Sequence, residues 1–181
     1  MNDEGAGHEP LKKEGSKLVY RGPIASVRME TFQYSDGSRA TRQVVVHPGA
    51  VCVIPHDGRV VYMVEQPREA VEEPALLELP AGKLDVDGET PLECAQRELA
   101  EEIGKSAGDW RELTSFYTSP GFANERVWLF LATELYDVTR RPQAGERIEV
   151  VEFPLSDLDR AIDRCEDAKS LIGLMMLKDL L

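Results

Sequence analysis

Hydrophobic and polar residues alternate along several short stretches of this chain, a pattern typical of half-buried β-strands. The predicted strands are residues 17–20, 26–34, 41–47, 50–54, 59–66, 113–118, 126–135 and 148–153; the first three alternate in part, whereas 50–54 and 59–66 are richer in valine. Asp36-Gly37 and Asp57-Gly58 lie between neighbouring stretches and predict tight turns, since glycine accepts the positive φ that such turns require. Strands therefore dominate the predicted structure.

Two regions show helical spacing instead. The first is expected over Pro91–Ile103, because Thr90 and Glu93 form a capping box, Pro91 suits the first helical position and Gly104 suits the end. Its apolar residues recur every three or four positions, at Leu92, Ala95, Leu99 and Ile103. The second region spans about 156–181, with a break expected near Glu166-Asp167. Strands mixed with two or three helices predict a mixed α/β arrangement.

The first predicted helix carries three carboxylates, Glu98, Glu101 and Glu102, near its C-terminal end. Like charges one turn apart and anions at this end both weaken a helix. The cluster is expected on one flank, opposite much of the apolar stripe, where its oxygens suit a hard cation such as Mg²⁺. The residues alone leave an alternative open, namely a solvated salt-bridge ladder of Glu93, Arg97 and Glu101.

Length and charge limit the classes of protein. The 181 residues suit one domain, and the formal net charge of −12 argues against broad binding of nucleic acid. We find no apolar run long enough for a membrane span and no signal peptide. Cys52, Cys94 and Cys165 form no metal or disulfide pattern, so three reduced thiols in a cytoplasmic protein are expected.

The segment from Gly82 to Gly104 resembles the Nudix box, Gly-x5-Glu-x7-Arg-Glu-U-x-Glu-Glu-x-Gly-U, where U is a bulky aliphatic residue. The matching residues are Gly82, Glu89, Arg97, Glu98, Leu99, Glu101, Glu102 and Gly104. Two departures are present. Six residues separate Gly82 from Glu89 where the pattern has five, and Lys105 stands where an aliphatic residue is expected.

Three further segments, at residues 47–51, 78–82 and 119–122, resemble the ADP-ribose pyrophosphatase branch of that family, as does Pro120, sixteen residues after Gly104. This resemblance implies an α+β protein with the Nudix fold, an α/β/α sandwich around a mixed sheet, plus an N-terminal β-strand subdomain. The resemblance implies N-terminal strands at 17–47 that mediate dimerisation and a Nudix hydrolase domain at 48–181. The composition of residues 1–16, rich in Gly, Glu and Lys with almost nothing apolar, predicts a disordered tail.

The resemblance also implies residue roles. Glu98 and Glu102 would bind metal, Mg²⁺ with Mn²⁺ as an alternative, together with the backbone carbonyl of Ala81. Glu101 would be a further or water-mediated ligand with a catalytic role. The box would be supported by Gly82 at the bend and by an ion pair between Glu89 and Arg97.

The general base in this branch comes from an acidic loop before a late strand. Glu146 is the first candidate here and Glu149 the second, although Glu146 could instead be a metal ligand. The substrate-binding candidates are Arg68, Arg42 and Glu125, each of which could equally be a surface charge.

The implied reaction is metal-dependent hydrolysis of the pyrophosphate bond of ADP-ribose to AMP and ribose 5-phosphate. One alternative is another nucleoside diphosphate derivative, such as a nucleotide sugar or NADH. Another is a non-catalytic sensor of ADP-ribose or NAD, which the intact set of box acids disfavours. The expected partners are a small-molecule nucleoside diphosphate and a second copy of the chain in a homodimer, with neither nucleic acid nor membrane.

Overall fold

The computed structural model describes residues 11–141, 145 and 147–181. These residues form two compact units. The N-terminal unit comprises the described residues up to His47 together with Ser119–Glu125, and the main unit comprises Pro48–Thr118 and Arg126–Leu181.

The N-terminal unit is a three-stranded antiparallel sheet of β1 (Lys12–Arg21), β2 (Ser26–Gln33) and β3 (Arg39–Val46), in that order. The predicted turn between β2 and β3 is confirmed, with Gly37 at a φ of 80°. The segment 119–125 lies beside β3, where the N–H of Val45 donates to the carbonyl of Phe122 at 2.8 Å.

The prediction of a disordered tail at 1–16 is wrong for residues 12–16. Residues 12–16 are part of β1, because Lys12 and Lys13 continue the ladder opposite Gln33 and Phe32 of β2. Residues 1–10 lie outside the described part of the chain. Every residue of β1 is exposed, so cross-strand pairing, not burial, holds this strand in place.

Within the described part of the chain, the main unit contains seven strands in two sheets. They are β4 (Ala50–Pro55), β5 (Val60–Arg68), β6 (Glu73–Glu78), β7 (Ala81–Lys83), β8 (Lys105–Tyr117), β9 (Arg126–Asp137) and β10 (Glu149–Pro154). One sheet has the order β7-β4-β9-β8 and is mixed, since β4 and β9 run parallel while the other pairs are antiparallel. The second sheet is antiparallel, in the order β10-β5-β6.

The described residues form three α-helices that cover these sheets: α1 (Pro91–Ile103), α2 (Leu158–Arg164) and α3 (Ala168–Leu180). Two short 3₁₀ helices, Glu69–Val71 and Leu155–Asp157, precede β6 and α2. Among the described residues, none of the helices combines the length and the apolar character that crossing a bilayer requires.

The core consists of two apolar clusters on opposite faces of the mixed sheet. Because side chains alternate along a strand, Cys52 and Ile54 of β4 pack with Leu174 of α3, while Val51 and Val53 pack with Leu99 of α1. Helices therefore lie on both faces, and the predicted α/β/α sandwich with a mixed sheet is confirmed.

Pairing also produces strands that the sequence pattern did not predict. β6 begins at Glu73-Pro74 and β7 has only three residues including Gly82, so neither has an alternating pattern. β8 begins at Lys105, eight residues before the predicted start, because it pairs with β9 along most of its length.

Both helical regions are confirmed. The Thr90–Glu93 capping box is present, and Gly104 ends α1 at a φ of 68°. The break in the second region falls at residues 165–167, where Asp167 caps the start of α3 by accepting a hydrogen bond from the N–H of Ser170.

Candidate active site

Two of the box carboxylates are buried. Glu98 is 4% exposed and Glu102 is 3% exposed, whereas Leu92, predicted to lie in the buried stripe, is 38% exposed. The expectation that the acids lie on a flank opposite much of the apolar stripe is therefore wrong. The buried face of α1 holds Glu98 and Glu102 together with Ala95 and Leu99.

The Ala81–Gly82 segment explains why these carboxylates are buried. A Cβ atom at Gly82 would lie 1.9 Å from Cδ of Glu98, so the carboxyl group of Glu98 occupies the space above this glycine. The N–H of Ala81 donates to Oε2 of Glu102 at 3.0 Å. Carboxylates one turn apart on α1 thus converge on two adjacent residues of β7.

Arg97 balances part of this charge. Its Nε and Nη2 donate to the two carboxylate oxygens of Glu89 at 2.8 and 2.9 Å. Its Nη1 donates to Oε1 of Glu98 at 2.6 Å and to Oε2 of Glu101 at 3.4 Å. The predicted contact between Glu89 and Arg97 is thus present, and it joins the loop before α1 to the helix itself.

The same contacts shift the pKa values of both partners. The hydrogen bond to Glu89 is the main reason that the pKa of Arg97 is raised, and the charge of Glu98 adds to it against the effect of burial. The hydrogen bond from Arg97 in turn lowers the pKa of Glu89. Both groups are therefore charged at neutral pH, as a loop-to-helix brace requires.

The donors near Ala81–Gly82 fit a divalent cation in their chemistry. Carboxylate and carbonyl oxygens are the ligands of Mg²⁺ and Mn²⁺, and Mg²⁺ commonly takes only one or two carboxylates with water and substrate oxygens. Across residues 11–141, 145 and 147–181, no group of three or more Asp, Glu, His or Cys side chains is arranged to hold a metal. Glu98 and Glu102 nevertheless both approach the Ala81–Gly82 segment.

Of the two candidate general bases, Glu149 belongs to the described part of the chain and Glu146 does not. Glu149 is the first residue of β10, exposed, and opposite Glu65 of β5.

Arg68, the first substrate-binding candidate, forms a two-point ion pair with Glu78. Its Nε and Nη2 donate to the two carboxylate oxygens at 2.5 and 2.8 Å. Glu78 is 1% exposed and also accepts from Nζ of Lys169 at 2.6 Å. The guanidinium of Arg68 is therefore held by a neighbouring strand.

Charge pairing outweighs burial in this cluster. Burial by itself would raise the pKa of Glu78, but the hydrogen bond from Arg68 and the charge of Lys169 lower it. Burial would lower the pKa of Lys169, but the carboxylates of Glu78 and Asp167 raise it. The sequence contained one signal of this cluster, an isolated Glu78 within the apolar run 76–79.

The other two substrate-binding candidates lie in the N-terminal unit. Arg42, on β3, donates to the backbone carbonyl of Thr41 at 3.1 Å and to the hydroxyl of Tyr34 at 3.4 Å. Glu125 pairs with Nδ1 of His47 at 3.2 Å. His47 therefore contacts a candidate binding residue.

Comparison with known proteins places this geometry in a family. The family model described as "NUDIX domain" matches residues 46–172. The chain is 37% identical over 173 residues to an ADP-ribose pyrophosphatase of Bacillus subtilis (strain 168), covering 92% of each protein. It is also 34% identical over 171 residues to a methanol dehydrogenase activator of Bacillus methanolicus, covering 90% of each.

A solved structure of an "ADP compounds hydrolase" superposes with a TM-score of 0.83 at 21% identity, covering 98% of this chain and 97% of that one. At that identity the superposition establishes the fold. Together with the family match, which covers more than half of the chain, and the box residues grouped at Ala81–Gly82, it shows that this protein belongs to the Nudix family of hydrolases.

Proposed function

We propose that this protein hydrolyses the pyrophosphate bond of ADP-ribose, giving AMP and ribose 5-phosphate, with the help of a divalent cation. The observation that carries the proposal is the convergence of Glu98 and Glu102 on the Ala81–Gly82 segment. The substrate assignment is supported by the 37% identity to a protein named ADP-ribose pyrophosphatase over most of both chains.

The charges explain why a cation is needed. A diphosphate and a pair of buried carboxylates repel each other, so a cation must lie between them for the substrate to bind. We assign Mg²⁺, or alternatively Mn²⁺, to Glu98, Glu102 and the Ala81 carbonyl, with Glu101 as a further ligand. When bound, such a cation neutralises phosphate oxygens and lowers the pKa of an attacking water.

The remaining roles belong to other side chains of this protein. Glu146 is our first choice for the group that takes the proton from water, and Glu149 is the second. Arg68 and Arg42 are assigned to the phosphates, and Glu125 to the sugar or base. Arg68 carries its charge at the C-terminal end of β5 while Glu78 fixes its orientation, which suits a guanidinium that must be positioned before substrate arrives.

We also propose that the protein works as a homodimer in the cytoplasm. The dimer proposal is supported by β1, whose ten residues are all exposed and include Leu18, Val19 and Tyr20. The location is supported by the three cysteines, which are free and buried, as expected for reduced structural thiols.

A product assay tests the function. The purified protein is given ADP-ribose, GDP-mannose or NADH with Mg²⁺, and we expect AMP and ribose 5-phosphate from ADP-ribose at the highest kcat/KM. Excess EDTA should abolish turnover and added Mg²⁺ or Mn²⁺ should restore it. Glu102→Gln, which removes a charge but keeps the shape, should lower kcat by about three orders of magnitude, since it weakens the hold on the cation.

The assay also separates the alternatives. Cleavage of GDP-mannose or NADH with ADP-ribose left intact would replace the substrate and keep the family chemistry. Full activity in EDTA would contradict the role of the carboxylate pair. Binding of ADP-ribose without any turnover would favour the sensor.

A further inference from the structure

Helix α3 holds the segment that precedes Ala81 at two points. The hydroxyl oxygen of Ser170, a fully buried residue, accepts a hydrogen bond from the N–H of Leu79 at 2.7 Å. Three residues further along the helix, a Cβ at Gly173 would lie 2.5 Å from Cδ1 of Leu79. Residues three apart share a helix face. Leu79 therefore makes one hydrogen bond, to Ser170, and one packing contact, with Gly173, on the same side of α3.

The Ser170 hydroxyl is itself oriented. It donates its hydrogen to Oδ2 of Asp167 at 2.5 Å. Oδ2 of Asp167 also accepts a hydrogen bond from the N–H of Ser170 at 3.0 Å. A hydroxyl has one hydrogen to give, so its bond to Asp167 leaves an oxygen lone pair for Leu79. Lys169 donates to the same Asp167 oxygen at 2.9 Å and so restrains the carboxylate from another direction.

The backbone of Leu79–Ala81 connects the Ser170 contact to the carboxylate of Glu102. After Leu79, the carbonyl of Pro80 accepts from the N–H of Val53 on β4 at 2.8 Å. The next N–H, that of Ala81, donates to Glu102 at 3.0 Å. Three consecutive residues are thus tied to α3, β4 and α1 in turn, and the ring of Pro80 restricts the backbone between them.

We propose that Asp167 and Ser170 are positioning residues for Glu102. They hold Leu79–Ala81 in place, the N–H of Ala81 then fixes the Glu102 carboxylate, and the affinity for a divalent cation depends on that arrangement. The proposal rests on the proposed function, in which Glu102 binds the cation. Asp167 and Ser170 act through the backbone and touch neither cation nor substrate.

Cation binding without substrate tests this directly. The full-length protein and its Ser170→Ala variant are titrated with Mn²⁺, and free Mn²⁺ is counted by electron paramagnetic resonance. Loss of an outer partner of a metal ligand typically costs ~10- to 100-fold in affinity, and because Ser170 acts on Glu102 through the backbone, we expect the variant to bind Mn²⁺ ~10-fold more weakly. Asp167→Asn should stay near the wild-type affinity, because an amide oxygen still accepts from Ser170 and still caps the helix.

A matched control removes the effect of general destabilisation. Leu177 is buried on α3, two turns beyond Ser170. Leu177→Ala leaves a cavity in the core and removes no hydrogen bond to Leu79. This variant should keep its Mn²⁺ affinity in the folded state. Hydrogen exchange gives a second measurement: Ser170→Ala should speed exchange at the Ala81 amide while the amides in the middle of α1 keep their rates.

The outcomes separate this inference from the function. Equal Mn²⁺ affinity in wild type and Ser170→Ala would overturn the positioning role, even if ADP-ribose is hydrolysed. If the wild type binds Mn²⁺ but leaves ADP-ribose intact, the proposed substrate fails and the affinity comparison still decides the positioning role. Unchanged Mn²⁺ affinity in Glu102→Gln would show that Glu102 does not bind the cation, which would overturn both the positioning role and the metal site of the proposed function. Should Ser170→Ala fail to fold, Asp167→Ala, which removes the hydroxyl's acceptor, provides the same comparison.

Discussion

At the scale of single residues, the site depends on a position without a side chain. Gly82 is needed because the carboxyl group of Glu98 lies where a Cβ would be. Its role is one of space, since its φ is not in the left-handed range. A buried glutamate can approach the backbone this closely only above glycine, and that approach brings Glu98 to the residue next to the one that binds Glu102.

Gly82→Ala therefore should displace the Glu98 carboxylate. The added methyl group would overlap Cδ and Oε1 of Glu98, at 1.9 and 2.0 Å, so the side chain must move by an ångström or more. We expect kcat for the diphosphate substrate to fall by about 10²-fold, as misplacement by ~1 Å commonly does. Steady-state kinetics at saturating Mg²⁺ measures this.

The control is Gly15→Ala on β1, where the nearest neighbour of a new Cβ, Cβ of Thr31, lies at an ordinary 3.9 Å. This variant should keep the wild-type kcat. Wild-type kinetics in Gly82→Ala would show that Glu98 need not occupy the space above residue 82.

At the scale of secondary-structure elements, a set of charges around the buried carboxylate of Glu78 joins β5, β6 and α3. Glu78 at the end of β6 accepts hydrogen bonds from Arg68 of β5 and from Lys169 of α3. Pairing the buried Glu78 with Lys169 and with the partly exposed Arg68 offsets the cost of removing the carboxylate from water only while both cations are present. Loss of Glu78 should therefore be far more damaging than loss of a surface ion pair.

Glu78→Gln should lower the free energy of unfolding by about 3 kcal/mol at pH 7, because it leaves Arg68 and Lys169 without their shared counter-charge. The pKa of Glu78 in the folded protein lies below its ordinary value of 4.5, so its ionic contribution is complete above 4.5 and is lost as pH falls through the lower folded value. The gap between wild type and variant should thus be constant from pH 7 to about pH 5 and narrow in more acidic solution.

Urea denaturation at several pH values measures this gap. Glu65→Gln serves as the control, because Glu65 is also on the β5–β6 sheet but pairs with the half-exposed Arg164. Its cost should be at most about 1 kcal/mol. A Glu78→Gln variant as stable as Glu65→Gln would show that the buried charges add nothing to the packing of these elements.

At the scale of the whole molecule, the N-terminal sheet ends in an exposed strand. Among the residues that the structure describes, β1 pairs only with β2, and its exposed residues include Leu18, Val19 and Tyr20. An apolar edge strand of ten residues is a surface on which another chain can pair. A second copy of this chain is the partner that we propose for it.

Val19→Asp should therefore weaken the homodimer. A charge placed among Leu18 and Tyr20 would be desolvated on association, so the fraction of monomer at a given concentration should rise. Sedimentation velocity over a dilution series measures the change. Val71→Asp, at an equally exposed valine of the main unit, should leave the association constant unchanged. A wild-type protein that is monomeric at all concentrations tested would contradict the dimer.

Much of the fold was predictable from local chemistry. The Thr90–Glu93 box, Gly37 and Gly104 act through their own neighbours, so their sequence signals were sufficient. β6 and β7 were missed because three to six residues interrupted by proline or glycine carry too little periodicity, and their pairing partners alone make them strands.

The candidate site divides in the same way. The sequence by itself determined the family, the start and end of α1, and the one-turn spacing that puts Glu98 and Glu102 on a common face, because helical geometry is local. Only the tertiary structure decided that this face is buried beneath Ala81–Gly82, that Arg68 is held by Glu78, and that Ser170 holds Leu79 from 91 residues away. Those contacts join residues far apart in the chain, and which residues meet depends on strand register and helix packing, which no local pattern encodes.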